Sequence, residues 1–478
     1  MLFSSLLFLF LFLPLVIPLS LIPNTRIQNY FLLIASLVFY AWGGISYTLI
    51  MIISILMNYL FGILIENKQQ HARLILTLGI ILNIGMLCVF KYLSFLVLSL
   101  NSVLPKSYSV PQVHIALPIG ISFFTFHGLS YIIDVYRKKF NAQKDLSILA
   151  LYITLFPQLI AGPIIRYKDI YAQFLVRKNS SAKFAYGIKR FIIGLGKKVI
   201  IANTFASIAD KIFALDPGSL NLSLAWLGII SYAIQIYFDF SGYSDMAIGI
   251  GRMFGFKFPE NFNLPYIAQS IQEFWRRWHI SLSTWFRDYL YIPLGGNQAS
   301  AKKTFRNLIT VFFLCGLWHG ASWTFVIWGL YHGLFLVVER LGLKKILDRT
   351  WKPLRHLYTL LVVLIGWVFF RADTFEQAFS YTAKLFSFAG NKGFAEAAFY
   401  INSEVLLYLI IALIFSTALP KKSYLLLKKY TMQMPSLAKQ VFNNLQYLFS
   451  NVSLLCIFIL CVLYLATSSY NPFIYFRF

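Results

Sequence analysis

Chemistry in this chain is confined to a few polar side chains set in apolar surroundings. His319 sits in LCGLWHGASW, flanked by Trp318 and Gly320, and the run from Asn307 to Val338 holds no Asp, Glu, Lys or Arg. A neutral imidazole there could take a proton from a hydroxyl. It could equally be a core histidine hydrogen-bonded to a neighbour, with His332 of GLYHG, thirteen residues on, as its structural partner. His279 lies in IQEFWRRWHISLSTWFRDYLYI, where Trp, Phe and Leu mix with Arg276, Arg277 and Arg287. Helices of that composition lie in the membrane interface. The segment is therefore either a surface anchor or a helix that dips inward and carries His279 to a site. Asp239 and Asp245 interrupt an apolar run in DFSGYSDM, six residues apart and on different helix faces. That spacing argues against a paired-carboxylate dyad. It predicts hydrogen bonding to Ser241, Tyr243 and Ser244 or a helix break at Gly242, with a coupling-ion site as the remaining option.

Other chemistries find no residues to carry them. No two of the seven histidines have the short spacing of a metal site, and no CxxC pair exists, so no metal is expected. His71, His114 and His356 fall in loops or at span ends, and His127 has no carboxylate or second histidine nearby. Cys88, Cys315, Cys456 and Cys461 lie in apolar runs and read as buried small hydrophobes. There is no G-x-S-x-G elbow and no phosphate loop. The IGIG run at Ile248 closes a membrane helix and is a weak glycine pattern.

The elements that must position these residues follow from composition. Of 478 residues, 59% are hydrophobic and only 12% charged, against about 25% charged in a soluble protein. The chain is an all-α polytopic membrane protein; a cytosolic enzyme, a disulfide scaffold and a disordered chain are excluded. A spanning helix needs roughly 20 apolar residues, which predicts about eleven or twelve crossings here. They are Leu2–Ile22, Asn29–Trp42, Tyr47–Ile65, Leu74–Leu100, Ile115–Ile133, Phe191–Ala214, Leu222–Ile250, Leu308–Gly320, Ala321–Val338, Leu357–Phe370, Val405–Leu419 and Val452–Thr467. Ile148–Ile165 is broken by Pro157 and Gly162-Pro163 and is expected to enter and turn back. The first apolar stretch lacks a basic lead and an A-x-A site, so it reads as a retained helix.

Charge sets the sidedness. The net charge is +25, and six loops hold 32 of the 42 Lys and Arg but 9 of the 17 acids. These loops (Glu66–Arg73, Asp134–Asp145, Arg166–Arg190, Arg252–Arg306, Glu339–Arg355 and Pro420–Lys439) are predicted cytoplasmic, with both termini extracytoplasmic. The basic excess thus reports orientation rather than a nucleic-acid partner. From the residues alone the chain fits a membrane transferase and also a transporter.

Longer motifs narrow the choice. LPIGISFFTFHGLSYIIDVYRKK from Leu117, LFPQLIAGPIIRY from Leu155 and YFDFSGYSDMAIGIGRMFGF from Tyr237 stand in order. NFNLPYIAQSIQEFWRRWHISLSTWFRDYLYIPLGGN from Asn261, LCGLWHGASWTFVIWGLYHG from Leu314 and NPFIYFRF from Asn471 follow. Over most of its length the chain resembles the membrane-bound O-acyltransferases, in particular the bacterial branch that serves alginate O-acetylation. The resemblance implies a single membrane-embedded domain around a central channel. Residues 1–115 would be N-terminal helices, 116–340 the motif-bearing core, 341–470 C-terminal helices and 471–478 an extracytoplasmic aromatic tail. It places the catalytic histidine at His319 and the family's second functional histidine at His279.

The resemblance also implies an acyl donor on the cytoplasmic side, with acetyl-coenzyme A as the expected thioester and no tightly bound cofactor. Arg276 and Arg277 could hold the donor's phosphates, or simply anchor the segment at the surface. Tyr475, in the C-terminal motif, is the residue expected to carry the acyl group, the alternative being an interfacial aromatic belt. The implied partners are an extracytoplasmic acetyltransferase of the serine-hydrolase type, a polysaccharide acceptor and membrane lipid, in a bacterial inner membrane. The rivals are a D-alanyl transferase fed by a carrier-protein thioester and a transporter or flippase, the latter normally showing internal repeats that are not visible here.

Overall fold

A computed structural model describes residues 1–113, 115–216, 218–298, 300–388 and 395–473. His114 and Tyr475 lie outside the described residues. Every regular element among the described residues is helical. In chain order the main helices are α1 (Phe8–Leu21), α2 (Thr25–Ala41), α3 (Ile45–Asn67), α4 (Gln69–Asn101), α5 (Ile121–Tyr136) and α6 (Leu146–Thr154). Next come α7 (Ser181–Phe213), α8 (Leu222–Met253), α9 (Ile271–Arg277), α10 (Ile280–Phe286) and α11 (Ala301–His319). The last are α12 (Trp323–Arg349), α13 (Lys352–Arg371), α14 (Ser403–Phe415), α15 (Leu419–Met432) and α16 (Ser436–Thr467).

Seven of these (α3, α4, α7, α8, α12, α13 and α16) are long and apolar enough to cross a bilayer, and the pair α14–α15, bent by 66°, makes an eighth if it is one span. The other expected crossings fall elsewhere: Leu2–Ile22 falls on the shorter apolar helix α1, α2 has 17 residues, α5 has 16, and α11 has 19 but opens with Lys302, Lys303 and Arg306.

The centre is the 32-residue α8, buried on nearly all sides. Glycines let α7 approach it. A Cβ on Gly242 would lie 2.7 Å from the Gly194 carbonyl oxygen, and one on Gly249 would lie 2.6 Å from that of Gly187. Small residues at a membrane helix contact permit this approach. The predicted break at Gly242 is absent: α8 runs straight through, because the glycine serves the helix crossing. The outer helix α16 leaves most of its apolar surface exposed, as a lipid-facing helix must. Cys456, on that helix, is exposed rather than buried, while Cys315 and Cys461 are buried.

The segment after α6 is irregular and enclosed by the protein. Residues 151–165 are all buried. Their irregular backbone is satisfied by other elements: Phe156 N–H donates to Ser36 Oγ at 3.1 Å and Ile164 N–H to Ser281 Oγ at 3.0 Å. Irregular backbone at membrane depth is tolerated only where protein surrounds it in this way.

Candidate active site

The apolar run from 307 to 338 folds as a hairpin. α11 ends at His319, Gly320 is extended, and Ser322 caps α12 by accepting the Thr324 N–H at 3.3 Å. His319 therefore stands at the turn, 6% exposed. Three rings meet it edge-on, with centroids at 4.9 Å (Trp318), 5.0 Å (Trp328) and 5.1 Å (Phe370). It lines a cavity of about 160 Å³ with Lys91, Ser122, Gly120, Ile160 and Trp318. His332 is also buried but does not pair with His319; the Trp328 ring contacts both, 5.3 Å from His332.

His279 reaches the same region because its segment dips inward. The expected single helix is split into α9 and α10, with Trp278 extended and His279 in the left-handed region at φ 43°. Non-glycine residues seldom adopt that conformation and need support from their surroundings. Two backbone bonds supply it: Asn263 N–H to Arg277 C=O and Ile280 N–H to Asn261 C=O, both 2.9 Å. The start of α9 is capped from across the fold. Ser270 accepts the Glu273 N–H, and the buried Glu339 carboxylate accepts the N–H groups of Ile271 and Gln272 at 2.5 and 3.0 Å.

One side chain fixes the state of His279. Asn261 Oδ1 faces the backbone N–H of Ser281 at 3.2 Å, and an N–H can only donate. That fixes the amide orientation, so His279 Nδ1, 3.1 Å from the same oxygen, must carry the hydrogen. Nε2 is then the basic nitrogen. His279 is 1% exposed, packs edge-on against Phe240 at 4.6 Å and lies 6.1 Å from the Trp318 ring. The Trp318 ring is thus in contact with both histidines.

The aspartates of α8 are paired across helices rather than with their own hydroxyls. Asp239 meets Lys198 at 2.9 Å, and Asp245 meets Arg190 and Lys197, each at 2.7 Å. All three cations come from α7. Lys198 also donates to the carbonyl of Pro472, so the C-terminal segment returns into the bundle. Asn471 donates to the Ser4 carbonyl at 2.8 Å and accepts from Asn203 at 3.2 Å, and Tyr470 donates to Asp210 at 2.6 Å. Phe473 is 4% exposed and 4.9 Å from Tyr243.

Of the two arginines, Arg277 is held by Glu273 at 2.8 Å and the Asn263 carbonyl at 3.0 Å, while Arg276 is exposed. No group of three or more metal-ligating side chains occurs among the described residues. Lys91, Asn261, Lys198 and Glu339 were not singled out from sequence. A lone lysine in a long apolar run is the available sequence signal for Lys91, and the adjacent pair Lys197-Lys198 inside the span Phe191–Ala214 is the signal for Lys198.

Residues 69–375 match the model of MBOAT, the membrane-bound O-acyltransferase family. The chain belongs to that family. Its relatives include "Probable alginate O-acetylase AlgI" of Azotobacter vinelandii, 44% identical with all of both chains covered. The peptidoglycan O-acetyltransferase of Helicobacter pylori is 40% identical over 79% of this chain and 78% of its own. The teichoic acid D-alanyltransferase of Bacillus subtilis is 33% identical over 55% of this chain and 69% of its own. As a membrane-bound O-acyltransferase the chain is an enzyme embedded in a membrane, and its buried histidine pair lies within the matched region.

Proposed function

We propose that this O-acyltransferase takes an acetyl group from acetyl-coenzyme A on the cytoplasmic side of a bacterial inner membrane. It passes the group outward for O-acetylation of a polysaccharide. The observation that carries the reading is His319 at the hairpin turn, walled by aromatic rings and open to one small cavity. His279 meets the same Trp318 ring with its basic nitrogen set. Relatives named for O-acetyl transfer align over most of the chain, whereas the D-alanyltransferase aligns over about half, which favours acetyl.

In this reading His319 removes the proton of the attacking hydroxyl as its oxygen bonds to the thioester carbonyl carbon. The carbonyl electron pair moves onto oxygen. Collapse restores the C=O bond and expels the coenzyme A thiolate, which recovers the proton from His319. His279 orients the donor. Arg276, exposed and without a partner among the described residues, is freer than Arg277 to meet the donor's phosphates. The inward path of Asn471, Pro472 and Phe473 supports Tyr475 as the hydroxyl that first receives the acetyl group. A partner of the serine-hydrolase type would then move it to the polysaccharide.

The test is acetyl-coenzyme A labelled in the acetyl group, supplied to proteoliposomes of the purified protein. Label on the chain that is lost from Tyr475→Phe supports the relay. A chain that never takes label, while polysaccharide acetylation in cells is intact in Tyr475→Phe, contradicts it.

A further inference from the structure

Lys91 is a basic side chain in the C-terminal third of α4, a 33-residue apolar helix. An ammonium within an apolar membrane helix is costly and needs a reason. It sits on a π-helical turn, Cys88–Tyr92, a local widening often found at functional sites. Its Nζ donates to the Trp318 carbonyl and lies 3.4 Å from the His319 carbonyl and 3.5 Å from Ser122 Oγ. No carboxylate pairs with it among the described residues. It lines the cavity onto which His319 opens.

The plain explanation is helix capping. α11 ends at His319, so its last carbonyls lack intrahelical donors. Tyr92 already serves one of them, donating to Leu317 C=O at 2.7 Å. A neutral donor like this suffices for capping, so capping does not account for a charge. The two long contacts of Lys91 are at the weak limit of hydrogen bonding, so those N–H groups can turn to a ligand oxygen. A cationic donor beside a base stabilises negative charge that develops during reaction.

We propose that Lys91 is the group that receives the oxyanion of the tetrahedral intermediate formed beside His319. The proposal rests on His319 being the base. As the hydroxyl oxygen bonds to the acyl carbon and its proton passes to His319, the carbonyl pair settles on the oxygen facing Lys91 Nζ. That pair returns to the C=O bond when the thiolate leaves.

Lys91→Gln separates charge from capping, because its amide can still donate to the Trp318 carbonyl. Initial rates of acyl transfer from labelled acetyl-coenzyme A are read in proteoliposomes for wild type, Lys91→Gln, Lys91→Arg and His319→Ala. Lys91→Gln is expected to lower kcat by about 100-fold with KM unchanged, the size typical of a lost oxyanion donor. Lys91→Arg, which keeps the charge, should recover much of that loss. Wild-type kcat in Lys91→Gln with an inactive His319→Ala overturns the role of Lys91 alone. Wild-type kcat in His319→Ala overturns the base assignment and this proposal with it.

Discussion

Lys198 and Asp239 form an ion pair of 2.9 Å between α7 and α8, each side chain 1% exposed. Both charges are taken out of water, so neither tolerates loss of the other. Removing one partner of a buried pair costs about 3–5 kcal/mol, whereas replacing both by apolar groups can be neutral. Asp239→Asn and Lys198→Met should each lower Tm in detergent strongly, and Lys198→Met with Asp239→Leu should recover much of the loss. The double variant still lacks the donor to the Pro472 carbonyl. A cysteine placed at Phe473 should therefore react faster with a thiol reagent in the double variant than in wild type.

Asn261 should matter to catalysis more than to folding. Its Oδ1 holds the Nδ1–H of His279 and accepts from Ser281 Oγ at 2.9 Å. In Asn261→Leu the imidazole loses that restraint, and a misplaced catalytic group costs up to about 100-fold in rate. Acyl-transfer rates normalised to inserted protein should fall about 10- to 100-fold.

Asp288 ties together loops on the basic side of the protein, pairing with Arg287 at 2.8 Å, Lys168 at 3.3 Å and Arg166. Partial burial pushes its carboxyl up, but the Arg287 hydrogen bond and the surrounding cations outweigh that and hold it below the usual aspartate value. The folded value being the lower one, the stabilisation is present above the unfolded value of about 3.9 and fades as pH falls toward the folded value. Asp288→Asn should lower Tm at pH 7, and the gap from wild type should close below about pH 4.

The hairpin that carries His319 depends on glycine. A Cβ on Gly316 or Gly329 would overlap backbone of the facing helix, whereas Gly85 has open space around it. Gly316→Leu should prevent accumulation of folded protein, since overpacking against backbone has no easy relief. Gly85→Ala should be neutral or raise stability by up to about 1 kcal/mol. Detergent-solubilised yield and Tm of the two variants check this pair.

How far the sequence could be read depended on whether a residue's role was local. The 307–338 hairpin and the position of His319 at its turn follow from the apolar run and its small central residues. The family follows from long motifs in order. The spacing of Asp239 and Asp245 points to hydroxyls on their own helix, but their ion-pair partners come from α7, and glycine crossings that bring α7 close leave no periodic signal. Asn261 lies outside any helix, so only the tertiary fold shows that it fixes the His279 tautomer. The break at Trp278–His279 is not legible because it is held by Asn261 and Asn263, and the helix before it by Glu339, 60 residues from His279 in sequence.

The central claim is that His319 is the base for acyl transfer, and the O-acetyl content of the exported polysaccharide tests it most directly. It would be measured in cells whose sole copy of the protein is His319→Ala, with the amount of inserted protein measured alongside. The account predicts wild-type levels of the protein in the membrane and loss of the ester. Wild-type acetylation from that variant would contradict it.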